Sequence, residues 1–296
     1  MGVVWNYLSS LAGAVKSRRQ VPARADESEA AVAKSGPWDE AGPRLAVLGT
    51  PRSGNTWLRR VLATGYAIEG DRGRELAIHD PLEPDWGAPA MARSIVQVHV
   101  RRDAAMAGLL ASHAVRVIVP RRHPFDVLVS ILQYATHVHD THLWLAGEGG
   151  DEASIRGLDP CHPAFLDYAT GPRAAALFAV SPSWWDAPGS VPVRYEDLVA
   201  RPEPTLDGIA RAIGRPPEVP WTEALERNTM DRLRQTHGFG HIWQGRPGLW
   251  RSLLTPEAVE RLVLGIGPIL ATYGEAPEAD PSLTPGQALE NWRSLN

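Results

Sequence analysis

The stretch RLAVLGTPRSGNTWLRRVLATGYAI, residues 44–68, carries the fold in two halves. RLAVLGT (44–50) is a short apolar run ending in a turn, and NTWLRRVLATGYAI (55–68) has apolar residues at helical spacing. Between them, Gly49-Thr50-Pro51-Arg52-Ser53-Gly54-Asn55-Thr56 leaves a strand and opens a helix. Such a loop points backbone N–H groups inward beside the positive end of the helix, so an anion fits there. Outward from this unit, SIVQVHV (94–100) and VRVIVPR (115–121) are further β-rich runs, and ELAIHD (75–80) has strand texture. PFDVLVSILQYATHV (124–138) reads as a helix, VPVRYEDL (191–198) as strand-like, and PEPTLDGIARAIG (202–214) as a helix. Strands alternating with helices predict an α/β fold with a parallel central sheet flanked by helices. The segment 139–190 lacks a clear strand and holds Trp144, Trp184 and Trp185, which predicts a helical insertion beside the sheet.

The chain has 296 residues, enough for one large domain. Residues 17–43 are rich in Ala, Arg, Glu, Ser, Gly and Pro and read as a linker, so the expected division is a tail and linker (1–43), a main domain (44–275) and a C-terminal extension (276–296). With 30 Lys+Arg against 34 Asp+Glu the net charge is −4, which excludes a basic nucleic-acid coat. The only lysines are Lys16 and Lys34, so the cationic chemistry of the folded body falls to arginine or protonated histidine. A single cysteine, Cys161, excludes an internal disulfide framework and a cysteine zinc cluster, and fits a reducing compartment. The N-terminus is apolar first and basic afterwards, the reverse of a secretory signal, and the expected location is cytoplasmic. Val4, Leu8, Leu11 and Val15, followed by Lys16, Arg18 and Arg19, have the pattern of a weak membrane-surface contact over residues 1–19; a frayed or partner-bound tail is the competing reading.

Against the phosphate-loop pattern G-x-x-x-x-G-K-[ST], the segment 49–56 has every fixed residue except the lysine, which is Asn55. VRVIVPR ends in arginine, not in an acidic Mg²⁺ ligand. A P-loop NTPase or kinase is therefore disfavoured. TPRSGNTWLR (50–59) resembles the 5′-phosphosulfate loop of the sulfotransferases that use 3′-phosphoadenosine 5′-phosphosulfate (PAPS), whose cytosolic members carry P-K-S-G-T-T-W at this junction. The match runs through Pro51, Ser53, Gly54, Thr56 and Trp57, with Arg52 at the place of the catalytic lysine and Asn55 at the first threonine. Carbohydrate sulfotransferases of the superfamily carry an arginine there. The resemblance implies a P-loop NTPase-like three-layer sandwich with PAPS as co-substrate and no metal.

VIVPRRHPFDVLVSIL (117–132) resembles the family's 3′-phosphate motif, which implies that Arg122 and Ser130 hold that phosphate. An arginine fork and a serine hydroxyl suit a terminal phosphate, with Pro124 and Asp126 favouring the helix start. VRYEDL (193–198) resembles the Y-E-D segment and implies Tyr195 near the nucleotide. RNTMDRL (227–233) resembles the adenine-contact segment and implicates Thr229 and Met230. GRPGLWRSLL (245–254) resembles the stretch closing over the 3′-phosphate, implying Gly245 and, for the missing charge, Arg246; Trp243 and Gln244 depart from the family's Arg-Lys.

Sulfuryl transfer needs an acceptor in line and stabilisation of charge on the leaving oxygen; Arg52 is expected to stabilise that oxygen, and the N–H groups of residues 53–57 to hold the 5′-phosphate. The acceptor hydroxyl needs a base near neutral pKa, and His99 ends the strand 94–100, where ligands gather in open parallel sheets. His99 also matches the family's K-T-H histidine, with Gln97 at the lysine. His79 and Asp80 are candidates to assist the base or line the acceptor pocket. The run His137-Val138-His139-Asp140-Thr141-His142 lacks the i, i+4 pairing of a helical zinc site and reads as a polar helix end near the acceptor mouth. The expected reaction is transfer to a hydroxyl of a small-molecule, glycan or lipid-like acceptor. A non-catalytic nucleotide-binding module that recruits a partner is the alternative.

Overall fold

A computed structural model describes residues 42–296 except 81, 83, 146, 147, 239, 275 and 276. The N-terminal readings, apart from residues 42 and 43, lie outside the described residues. In chain order the elements begin with β1 (Arg44–Leu48), α1 (Asn55–Gly65), β2 (Arg74–Ala77), β3 (Ser94–Val98), α2 (Ala104–Ser112), β4 (Arg116–Arg121) and α3 (Pro124–His137). The segment that follows holds short 3-10 turns and α4 (Pro163–Ala169), α5 (Pro172–Phe178) and α6 (Val180–Trp185). Then come β5 (Ser190–Arg194), α7 (Tyr195–Ala200), α8 (Pro202–Ile213), α9 (Trp221–Arg227), α10 (Met230–His237), α11 (Pro256–Tyr273) and α12 (Pro285–Leu295).

The five strands are all parallel, in the order β2-β3-β1-β4-β5. In the central register Ala46 lies between Val96 and Val117. β1 is apolar at consecutive positions because both its faces are covered. Leu45 and Val47 point into a core closed by Leu58, Leu206, Ile209 and Trp221 of α1, α8 and α9. Ala46 and Leu48 point into the opposite core, closed by Met106 and Leu110 of α2 and Trp184 of α6. Alternation along a strand thus builds both outer layers. A third core joins α3 to α4, α5, α11 and α12 through Phe125, Phe165, Phe178, Trp250, Leu262 and Trp292.

Two local readings are corrected. VPVRYEDL is not one strand: β5 stops at Arg194 and α7 begins at Tyr195, where Glu196 and Asp197 occupy the first helical turn and favour its positive end. In ELAIHD the strand ends at Ala77, leaving Ile78, His79 and Asp80 on the following loop. Among the described residues no helix is long and apolar enough to cross a membrane.

Candidate active site

The strands β3, β1 and β4 are neighbours, and their C-terminal ends open on one cavity. The loop after β1 is closed from within. The Asn55 side-chain amide donates to Thr50 O at 2.8 Å, and Ser53 N donates to the same carbonyl at 3.2 Å. Asn55 is therefore a brace at the position where a nucleotide-hydrolysing loop carries its phosphate-binding lysine. Thr50 is anchored to α6, its N–H donating to Ser181 Oγ at 2.8 Å. Gly49 passes Pro120 so closely that a Cβ would lie 2.9 Å from its carbonyl oxygen. Gly54 has φ 90°, a Cβ there would strike the Tyr195 ring, and no side chain caps α1. The first N–H groups of α1 are thereby left for another acceptor.

Arg52 has φ 68°, left-handed backbone for a non-glycine residue. Its Nε donates to Ser130 Oγ at 3.1 Å, and its guanidinium carbon lies 4.6 Å from the Tyr134 ring centroid. Burial lowers its pKa to about 10, with Arg122 adding to the fall and Tyr134 opposing it, so it stays a cation at neutral pH. Arg122 leaves β4 and lies over the Tyr195 ring at 4.7 Å, donating to Arg246 O at 3.0 Å. Its Nε is buried and has no hydrogen-bond partner among the described residues. Asp126 does more than favour a helix start: its carboxylate accepts from Gly248 N at 2.6 Å and Trp250 N at 3.2 Å. Tyr195 Oη donates to Gly245 O at 2.7 Å, so the 245–250 strap is tied at both ends. Trp57 donates to Asn228 O at 3.1 Å and meets Tyr195 edge to face.

His99 is 2.7 Å from Gly49 O through Nδ1. A carbonyl only accepts, so Nδ1 carries the proton and Nε2 keeps its lone pair. Burial, then His79 and Arg52, lower the His99 pKa to about 4, against the bond to Gly49. The imidazole is thus neutral at neutral pH, the form a base requires, but burial sets its pKa below the near-neutral value expected of the base from the sequence.

Arg52, Gly54, Asn55, Thr56, Trp57, His99, Arg122, Ser130, Tyr195 and Gly245 all line this cavity, as do His79, Gln97 and Met230. Ser53, Thr229 and Arg246 do not line it. Ser53 Oγ is buried, Thr229 caps α10 by accepting from Arg232 N, and Arg246 contributes its carbonyl to Arg122. Asp80 lines an adjoining hollow beside Met106 and Leu109 that shares His79 and His99 with the main cavity. In the run 137–142, Asp140 is the residue lining the cavity among those described, accepting from Tyr134 Oη at 2.8 Å. Of the three tryptophans in the 139–190 segment, Trp144 lines the cavity. Trp184 is in the sheet core and donates to Val100 O, while Trp185 packs under Arg121.

The sequence reading missed Tyr134, Arg59, His237 and His241, which also line the cavity. Tyr134 lies one helical turn beyond Ser130, a spacing that puts both on one face. Arg59 donates from Nε to Gln97 Oε1 at 3.2 Å, so a guanidinium from α1 reaches the place where the resemblance has a lysine on β3. His241 Nε2 is 3.3 Å from Thr56 Oγ1, a pairing across long sequence separation with no local signal.

The five-stranded parallel α/β fold is similar to that of a solved sulfotransferase. A mouse sulfotransferase, SULT7A1, in a crystal structure complexed with PAP, matches with TM-score 0.52 and 13% identity, over 85% of this chain and 94% of that one. Retinol dehydratase, in crystal structures with androsterone and inactive cofactor PAP and with retinol and PAP, matches with TM-score 0.48 and 14% identity. Those matches cover 77% of this chain and 80% or 81% of the other. No protein-family profile and no curated protein matches the chain.

Proposed function

We propose that the chain is a sulfotransferase that moves the sulfuryl group of PAPS to a hydroxyl acceptor. The observation that carries this reading is the meeting, in one cavity, of the Arg52–Ser130 pair with a neutral His99 whose Nδ1–H is engaged by Gly49. The nucleotide fits the residues present. The uncapped start of α1 offers N–H groups to the 5′-phosphate, and Arg122 Nε, which makes no hydrogen bond among the described residues and stands 3.9 Å from Asp126 Oδ2, offers a donor to the 3′-phosphate. Trp57, Tyr195 and Met230 supply apolar and aromatic wall beside them.

When bound, PAPS supplies an activated sulfuryl group. His99 Nε2 accepts the proton of the acceptor hydroxyl while the Gly49 carbonyl fixes the ring. Arg52 neutralises charge at the leaving phosphate oxygen. Ser130 accepts from Arg52 and retains its own proton for a phosphate, which couples the two anion sites. The cytoplasmic location and the choice between small molecule, glycan and lipid-like acceptor belong to this proposal. A P-loop NTPase is opposed by the bracing role of Asn55.

The test is turnover of sulfur-35-labelled PAPS with an acceptor panel. Arg52→Ala is expected to lower kcat by about 10²–10³, and His99→Ala by about 10²–10⁴. Unchanged turnover in both variants would refute the mechanism.

A further inference from the structure

We infer that the acceptor carries, besides its reacting hydroxyl, an anionic group (carboxylate, phosphate or sulfate) received by Arg59 together with His237 and His241. This rests on the sulfotransferase reading and narrows it. Arg59 is 7% exposed and faces the cavity. Two holds bring it there: Nε to Gln97 Oε1 at 3.2 Å, and an ion pair with Glu75 at 2.8 Å. Glu75 also pairs with Arg60 at 2.6 Å, so one carboxylate serves two guanidinium groups and one positive charge is left over. A buried, under-compensated charge is costly unless something balances it.

The neighbouring side chains do not balance it. His237 Nε2 is buried with no hydrogen-bond partner among the described residues. Among the described residues, His241 Nε2 reaches the Thr56 hydroxyl and no carboxylate. Arg59 lies near enough to both rings to lower their pKa values, behind burial for His237 and behind burial, Arg52 and His237 for His241. Asp140 is the carboxylate among the cavity's described lining, and its Oδ1 is engaged by Tyr134. The nucleotide's own anions have separate partners in the α1 start, Arg52 and Arg122. A neutral, apolar alcohol would leave His237 Nε2 buried without a partner and the surplus positive charge of the Arg59–Arg60–Glu75 group unbalanced. An oxyanion on the acceptor satisfies both with charge-assisted hydrogen bonds.

Matched pairs test this: 4-hydroxyphenylacetate against tyrosol, and glucose 6-phosphate against glucose. Each is titrated by calorimetry into the full chain saturated with 3′-phosphoadenosine 5′-phosphate (PAP), then assayed with labelled PAPS. The anionic member of at least one pair is expected to win by about tenfold or more in Kd and in kcat/KM. Arg59→Gln should bring the pair within about twofold, leave PAP affinity unchanged, and be rescued in part by Arg59→Lys. The double variant Arg59→Gln/Glu75→Gln, which leaves no carboxylate stranded, serves if the single variant does not fold and should also lose the preference. Equal binding of both members, no binding by any probe, or a preference that survives loss of Arg59 would overturn the inference while PAP binding and sulfuryl transfer stand. Failure of the wild-type chain to bind PAP would overturn both.

Discussion

Arg52 occupies left-handed backbone at φ 68°, where an L side chain costs about 1–2 kcal/mol that glycine avoids. The residue is held there while its guanidinium reaches Ser130 and Tyr134. Two variants separate function from strain. Arg52→Ala and Arg52→Gly are both expected to lose sulfuryl transfer, yet the glycine variant should be more stable than the alanine variant by about 1 kcal/mol in urea unfolding. Equal stabilities would mean that the loop carries no strain at this residue. His99 gives a prediction of opposite kind. Its folded pKa of about 4 lies below the ordinary histidine value, and the base must be unprotonated. The acid limb of kcat/KM should therefore be flat from neutral pH downward and fall only as pH drops through about 4. A limb near 6.5 would place His99 in a far more solvated setting. Arg52 and His99 were legible in the sequence because each sits at a strand end in a recognisable motif. Arg59 was not, because its meaning depends on Gln97 and Glu75 on two other strands.

At the scale of elements, the junctions β1–α1 and β4–α3 explain most of the geometry, and both could be read as apolar runs ending in turn residues. What no local pattern contained was the strap at 245–250, which is positioned by Asp126 on α3 and Tyr195 on α7. Asp126 read as a residue suited to a helix start, whereas its two oxygens serve amides more than a hundred positions away. The reading of VPVRYEDL failed for a local reason, because strand and helix meet there without a turn residue between them. Asp126→Asn keeps one acceptor oxygen and turns the other position into a donor facing an N–H. The loss of one charge-assisted bond is expected to cost about 1.5–3 kcal/mol, observed as a tenfold or greater weakening of PAP binding by calorimetry. The Asp126→Asn variant binding PAP like the wild type would show that the strap does not shape the nucleotide side of the cavity.

For the whole molecule, three cores share the work: two clothe the sheet, and one binds the helical segments to each other. The sheet's cores were visible in the sequence as apolar periodicity, but the third was not, because its members are spread over the helix 124–138, the helical insertion, the 245–254 stretch, α11 and the C-terminal extension, and no local pattern says that these pack together. Residues 276–296 are the case in point. They end in α12, opened by a Thr284–Gln287 capping box, and Trp292 packs against Trp243 with ring centroids 5.6 Å apart. Trp243 donates its indole N–H to Leu295 O at 3.1 Å and also lines the cavity. The extension thus buttresses one wall of the site from behind. Trp292 is 8% exposed, so Trp292→Ala removes a large buried ring and is expected to cost about 3–5 kcal/mol in unfolding by urea. Because Trp243 loses its backing, the same variant should raise KM for the acceptor more than it lowers kcat, since His99 and Arg52 are held by other elements. Loss of stability with unchanged acceptor KM would confine α12 to a structural role. Unchanged stability would mean that the helix does not dock as described, and the wall at Trp243 would then have to be held by the strap alone.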